Sequence, residues 1–300
     1  MKIHKNDIIL WIKLCLMLSD TGDKVVDIFD HVISGNFFPN GLCKDNVSIP
    51  IKTEKFILGK KLGEGSYATV YEVYYNRQKF ALKICNEKIT NEICIHKKMN
   101  HPNIIQLYIV IKDLNNIYML LDYHDINIEK YMKIKNIKLN MTSNKNIYFD
   151  ILNALEYIHN LGYVHGDIKL SNILFDNNKI KLIDFGFSCK IGTKRIAIGT
   201  FDYLSPELMS NYISDDEIVV QTTMDIWALG IVFYEIHTGL KLPFNNAKTI
   251  YDVMSIVFTD SLDFSHIKNS YVETILKSML TYSPIERATI QEIRMSIEKL

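Results

Sequence analysis

A chain of 300 residues with 48% hydrophobic content suits one two-lobed domain or two small ones, and it can bury a large core. Lysine plus arginine balance aspartate plus glutamate at 34 each, so no basic excess exists to neutralise phosphates along a duplex, and an electrostatic nucleic-acid binder is excluded. The five cysteines (Cys15, Cys43, Cys85, Cys94 and Cys189) are odd in number and lack a C-x-x-C pair, which argues against a disulfide framework or structural zinc and for a reducing compartment.

Residues 1–50 read as a separate N-terminal helical extension, with helical patterns at about 7–18 and 23–33. They are broken by Ser19-Asp20-Thr21-Gly22 and closed by Ser34-Gly35-Asn36. Ile8 to Leu18 form an apolar run behind Lys2 and Lys5 that is too short to span a bilayer, so no membrane span is expected. A signal-peptide reading fits poorly, because Asp7 and Lys13 interrupt the pattern and no small-residue cleavage site follows. A buried or partner-facing helix fits better. Asn46 and Asn140 lie in N-x-[ST] triplets of the kind that arise by chance.

From Phe56 the pattern changes to short alternating strands. Residues 56–63, 68–75 and 79–85 fit a β-meander with a turn at Asn76-Arg77. A short helix at about 90–99 follows, then strands at 105–111 and 117–122. Beyond residue 140 helical patterns dominate, at about 142–161, 223–238, 247–257, 271–281 and 289–299. This is an α+β arrangement: a β-rich half, then an α-helical half, with a cleft expected between two lobes.

Chemistry-bearing residues appear in the same order. Leu62-Gly63-Glu64-Gly65-Ser66-Tyr67-Ala68-Thr69-Val70 lies between two expected strands, where glycines let a backbone approach phosphates and aim N–H groups at them. A bare hairpin turn explains it equally well; a dinucleotide-binding turn does not, since no helix begins here. Thirteen residues after Val70, Phe80-Ala81-Leu82-Lys83 places a lysine inside an apolar strand, which is costly unless an anion meets it or the side chain snorkels from an edge. His165-Gly166-Asp167-Ile168-Lys169-Leu170-Ser171-Asn172 and, beyond a short strand pair, Asp184-Phe185-Gly186 bring together two carboxylates, a lysine and an asparagine. Phosphoryl transfer needs such a set: one carboxylate for the acceptor hydroxyl, a lysine against the moving phosphoryl, and Asn plus Asp for Mg²⁺.

With these motifs in order over roughly residues 56–298, the chain resembles the eukaryotic-type Ser/Thr protein kinases, with a bilobal fold and the active site in the cleft. The resemblance implies an N-lobe over 51–121, a hinge over 122–127 and a C-lobe over 128–300, with ATP and Mg²⁺ as cofactors. Asp167 would be the base, Lys169 the charge-offsetting lysine, and Asn172 and Asp184 the metal ligands. Lys83 would grip the α/β-phosphates and pair with Glu92. Leu62, Gly63, Glu64, Gly65 and Ser66 would cover the nucleotide, Val70 and Ala81 would roof the adenine and Leu174 would lie beneath it. Leu121 would be the gatekeeper, with the backbone of Asp122-Tyr123-His124 at the adenine edge. Downstream, Gly199-Thr200-Phe201-Asp202-Tyr203-Leu204-Ser205-Pro206-Glu207 resembles the end of an activation segment, and Thr200 with Lys169 implies Ser/Thr specificity. Asp225 would brace the catalytic loop, and Arg287 would pair with Glu207.

Some positions depart from the family. Gly166 replaces the arginine that reads an activation-loop phosphate, so activity is expected without phosphorylation of that loop, where Ser188 and Thr193 are the obvious hydroxyls. A glycine here also occurs in kinases of large DNA viruses such as poxviruses and in their cellular relatives. With the abundance of Ile, Asn and Lys, this implies a viral protein. Lys83 and Glu92 lie nine residues apart, closer than is usual, so the helix carrying Glu92 must be short; Glu87 is a poor substitute. His96 stands where an apolar side chain is preferred, a place a neutral histidine can fill. The helix at 7–18 would pack on this thin N-lobe region, pack elsewhere, or bind a partner. Ser171 and Asn127 lack the carboxylates that select basic substrates.

Expected partners are proteins with Ser/Thr acceptors, in the cytoplasm, or the host cytoplasm for a viral protein. Two rival readings remain. A catalytically weak pseudokinase acting as a scaffold is favoured by the short helix and by Ala68. A small-molecule phosphotransferase shares Asp167, Asn172 and Asp184 but lacks a segment like Thr200 to Glu207.

Overall fold

The computed structural model describes residues 57–65, 68–75, 78–86, 90–112, 116–176, 178–197, 199–244 and 247–300. All that is expected of residues 1–50, together with Ser66 of the glycine-rich turn, the Asn76-Arg77 turn and Glu87, lies outside the described residues. The expected order of a strand-rich half before a helix-rich half holds. Contacts divide the chain into two compact units, the first running to residue 89 and resuming over Leu107–Tyr123, the second comprising Thr90–Gln106 and His124–Leu300.

In the first unit, β1 (Ile57–Glu64), β2 (Ala68–Tyr75), β3 (Gln78–Asn86), β4 (Leu107–Lys112) and β5 (Asn116–Asp122) form one sheet in the order β1-β2-β3-β5-β4. Every pairing is antiparallel. Val73, Leu82 and Met119 are wholly buried, as the alternation of large apolar residues along β2, β3 and β5 requires. Cross-strand partners share a face, so the pairings Val70↔Lys83, Lys83↔Met119, Glu72↔Ala81 and Ala81↔Leu121 put those six residues on one side of the sheet. Glu72 is buried there with its carboxyl held down at about 2, chiefly by the hydrogen bond from the Tyr74 hydroxyl and against the opposing effect of burial. Lys79 Nζ adds an ion pair at 3.2 Å. A Cβ at Gly59 would stand 2.7 Å from Glu72 Oε1, so any larger residue in β1 there would have to displace the Glu72 side chain.

The second unit begins with the short α1 (Thr90–His96), seven residues long as the narrow spacing before it demands. Then follow α2 (Ile128–Lys135), α3 (Lys145–Asn160), β6 (Tyr163–Val164), β7 (Ile173–Asp176), β8 (Lys179–Leu182), β9 (Cys189–Lys190) and β10 (Lys194–Ile196). The last part holds α4 (Pro206–Ser214), β11 (Glu217–Val219), α5 (Thr222–Thr238), α6 (Ile250–Phe258), α7 (Ser270–Met279) and α8 (Ile290–Glu298). Three two-stranded pairs, β6–β9, β7–β8 and β10–β11, fasten the loops.

Helix α5 is the axis of this unit. Met224 through His237 are all buried, Asp225, Glu235 and His237 among otherwise mainly apolar residues, the condition of a helix packed on every side. Gly230 lets α7 and its C-cap come close, since a Cβ there would lie 2.8 Å from Leu280 Cδ2. Helices α6 and α8 begin with reciprocal capping boxes, Thr249 with Asp252 and Thr289 with Glu292.

The reading from sequence overlooked helices α2 and α4 and the ladders β6–β9 and β10–β11. Helix α2 buries only Ile128 and Met132 and ends at Asn136 in the left-handed region (φ 50°), so its apolar pattern is too brief to register. Helix α4 has Pro206 in its first turn behind Ser205. The ladder β10–β11 joins segments over twenty residues apart, which no local pattern reveals.

Candidate active site

Strand β6 delivers the chain into the loop His165–Asn172. Here Asp167 is buried, and its two oxygens are fixed by three donors: Thr200 Oγ1 gives to Oδ1 at 2.8 Å, Lys169 Nζ to Oδ2 at 2.7 Å and Asn172 Nδ2 to Oδ2 at 3.0 Å. Lys169 Nζ also donates to Thr200 Oγ1 at 2.7 Å, closing a triangle. An ionised carboxylate offers about four acceptor positions, so three donors leave one, on Oδ1.

Asp225, in the first turn of α5, accounts for the rigidity of this loop. Its Oδ2 accepts from His165 N at 2.8 Å and bonds His159 Nε2 at 2.9 Å, while Oδ1 accepts from Gly166 N at 2.9 Å. Burial pushes the Asp225 carboxyl up, but the His159 bond and the Gly166 amide hold it below the usual carboxylate range. Burial also lowers the His165 imidazole, partly offset by Asp225 and Asp167. The neutral ring is used from both sides: Nδ1 accepts from Asp167 N at 3.3 Å, which leaves Nε2 to donate to Ile183 O at 3.0 Å.

The residues expected at a metal also lie in this unit. Asn172 is buried, and its amide nitrogen donates to Asp167 O at 2.9 Å as well as to the carboxylate, so its carbonyl oxygen faces the other way. Asp184 sits at φ +69°, a conformation rare for a residue with a side chain and found where function over-determines the backbone. A Cβ at Gly186 would lie 3.4 Å from Asp184 Oδ1 and 3.8 Å from Glu92 Oε2, so α1 brings its buried glutamate to the edge of this loop. No cluster of three His, Cys, Asp or Glu suited to a metal exists among the described residues. An asparagine oxygen and one aspartate suit Mg²⁺, which takes its remaining ligands from phosphates and water. His96 is buried on α1 with its ring centroid 4.8 Å from that of Phe185, and its Nε2 lies 2.9 Å from Ile105 O, so it fills the expected apolar position.

The first unit contributes a second set. Lys83 is on β3, which pairs with β2 and β5, so the edge-lysine reading is excluded. It shares its face with Val70, Ala81 and Leu121, the last two buried. Leu62, Gly63 and Glu64 end β1, with Gly63 opposite Val70 and Glu64 opposite Thr69. Gly65 N donates to Ala68 O at 2.8 Å, which closes the hairpin, and Glu64 pairs with Lys61. Beta carbons at Gly63 or Gly65 would meet no protein atom closer than 3.9 Å, so this backbone presents open space of the kind a phosphate needs. Asp122 Oδ1 accepts from Tyr108 Oη at 3.0 Å, leaving the expected backbone contact to the main chain. In the second unit His124 and Leu174 are half-buried, and Leu174 bridges to Asn127.

Two residues have duties other than those expected. Ser188 is buried with its hydroxyl donating to His165 O at 2.8 Å, so it is a brace for the loop and not a free hydroxyl; Thr193 is exposed. Asn127 caps α2 by accepting from Lys130 N at 2.8 Å. Reading the sequence also missed His159, the penultimate residue of an obvious helix, and Arg195, which follows Lys194 in a short strand without a motif. Farther on, Arg287 lies buried over the Trp227 ring and grips Glu207 with both terminal nitrogens, at 2.9 and 3.1 Å.

The family model described as protein kinase domain matches residues 56–296. The chain is similar to an Aurora kinase of Candida glabrata, 30% identical over 272 residues that cover 85% of this chain and 74% of that one. An Aurora kinase of Saccharomyces cerevisiae is 32% identical over 262 residues, 82% and 69% of the two chains. CBL-interacting protein kinase 28 of Oryza sativa subsp. japonica is 28% identical over 265 residues, 81% and 58%.

Proposed function

We propose that this chain, which belongs to the protein kinase family, is an active serine/threonine kinase that transfers the γ-phosphate of ATP to protein hydroxyls. The observation that carries the reading is the triangle of Asp167, Lys169 and Thr200. Its remaining acceptor position on Asp167 Oδ1 takes the hydrogen of a serine or threonine hydroxyl and aims the oxygen lone pair at the γ-phosphorus. As the new O–P bond forms, the proton passes to Asp167 and the bond to the β-phosphate oxygen breaks. Lys169 offsets the charge on the moving phosphoryl group. Asn172 Oδ1 and Asp184 would hold Mg²⁺, which would supply charge neutralisation for the phosphates. Lys83 and the Gly63–Gly65 backbone serve the phosphates; Val70, Ala81, Leu121 and Leu174 serve the adenine.

The Lys169–Thr200 contact supports the choice of acceptor. A cytoplasmic setting rests on the scattered cysteines; no helix among the described residues is long and apolar enough to cross a membrane. A viral origin has only Gly166 and composition behind it. The weak preference for basic substrates rests on Ser171 and Asn127. Against it stand Glu129 and Asp202, whose charges act on Glu235 near Tyr203, and a peptide array for a dominant upstream arginine decides between them.

The deciding measurement is Mg-dependent transfer of labelled phosphate from ATP to soluble proteins, followed by phosphoamino-acid analysis. Wild type labels serine and threonine, and Asp167→Asn and Asp184→Asn each lose roughly 10²- to 10⁴-fold. Wild type that binds nucleotide yet transfers nothing would establish the scaffold reading instead.

A further inference from the structure

The segment after Asp184 is fastened to the loop bearing Asp167 at one carbonyl. Phe187 O accepts a hydrogen bond of 2.6 Å from Arg195 Nη1. The same oxygen stands against Gly166: a Cβ there would be 2.6 Å from it, and Gly166 has φ +79°, so this approach is open to glycine alone. Neighbouring ties follow the same line. Ser188 Oγ donates to His165 O at 2.8 Å, Asn91 Nδ2 from α1 donates to Ser188 O at 2.9 Å, and β9 pairs with β6.

Arg195 is itself held in place. It lies in β10 opposite Ile218 of β11, and Nη1 also reaches Cys189 Sγ at 3.1 Å. Its Nη2 is buried without a hydrogen-bond partner in the structure, a costly arrangement that persists where position matters. Guanidinium keeps its charge at every working pH, and its bond to a carbonyl is stronger than a neutral one.

We propose that Arg195 is a positioning residue for phosphoryl transfer: by clamping the Phe187 carbonyl against Gly166 it fixes Asp184, three residues upstream, relative to Asp167 and Asn172. This rests on the kinase reading and adds to it the device that orders the segment, a cation carried by the segment in place of a phosphate added to it. Exposed Thr193 is then dispensable, and buried Ser188 is inaccessible to a modifying enzyme.

The test uses full-length wild type, Arg195→Ala, Arg195→Lys, Gly166→Ala and Thr193→Ala, all treated with protein phosphatase and checked by mass spectrometry. Turnover is measured beside hydrogen exchange of the amides of residues 184–190. Phosphatase and Thr193→Ala leave kcat unchanged. Arg195→Ala lowers kcat roughly ten- to hundredfold, the scale of one charge-assisted hydrogen bond, with KM for ATP within about twofold, and speeds exchange at 187–190. Arg195→Lys, which keeps the charge, recovers part of both and serves if the alanine variant does not fold. Gly166→Ala reproduces the exchange defect with Arg195 present. Wild-type kcat and exchange in Arg195→Ala, or loss of wild-type turnover after phosphatase, would overturn the proposal. If wild type transfers no phosphate, the kinase reading fails, and the exchange comparison still judges the clamp.

Discussion

Single side chains in this protein are fixed by partners far away in sequence, and their ionisation follows. Glu235 on α5 accepts from Tyr203 Oη at 2.8 Å, and burial, reinforced by the charges of Glu129 and Asp202, pushes its carboxyl from 4.5 up to about 8. Between those two values the folded protein keeps a proton that the unfolded chain has released, so this residue makes stability fall as pH rises from about 4.5 to 8. Glu235→Gln should flatten that part of the curve, with a melting temperature above wild type at pH 8 and little changed at pH 5; parallel curves for the two proteins would refute it. At this scale the sequence was most legible where a motif gathers neighbours, as from His165 to Asn172. It was silent where the partner comes from elsewhere. Ser188 looked like a loop hydroxyl because nothing local reveals the His165 carbonyl above it, and Arg195 carried no signal until its bond to Phe187 was visible.

Elements depend on one another in the same way. Arg287, in the turn before α8, holds Glu207 at the start of α4 and also donates to the carbonyls of Thr223, Thr281 and Tyr282. Removing it leaves a half-buried carboxylate and three carbonyls short of a donor. Arg287→Ala should therefore cost about 3–5 kcal/mol by chemical denaturation, and Arg287→Lys should recover less than half, since an ammonium cannot make the paired contact. A loss below 1 kcal/mol would mean that solvent replaces the arginine. The long periodic helices α3 and α5 and the β2–β3 strands were evident from their spacing, because burial of one face, or of all faces, imposes the pattern. Helices α2 and α4 were not, because each buries only two residues, too few for a periodic stripe to show. Their start signals, Asn127 and Ser205-Pro206, are short enough to pass for turns.

Across the whole molecule, the residues expected at the nucleotide are divided between the units: Lys83 and the glycine turn belong to the first, and Asp167, Asn172, Asp184 and Glu92 to the second. A ligand that binds only the folded chain stabilises it by mass action, by about 2.7 kcal/mol at a hundred times its Kd. A non-hydrolysable Mg·ATP analogue should raise the melting temperature of wild type, and Lys83→Met and Asp184→Asn should each remove most of the shift. An undiminished shift in both variants would place the nucleotide elsewhere. The change from strands to helices was plain in the sequence, whereas the assignment of Thr90–Gln106 to the helical unit was not, because that follows from contacts made by Asn91, His96 and Asn103 with residues some eighty positions onward. The wholly buried α5 carries one more implication, for biosynthesis. Residues 222–238 leave the ribosome after the loop that Asp225 must brace, and until α3 and α7 enclose them they are a sticky stretch of nascent chain. The loop from His165 to Asn172 therefore acquires its final shape only late in translation, and chaperones that shield apolar segments should be found on chains arrested once residues 222–238 have emerged.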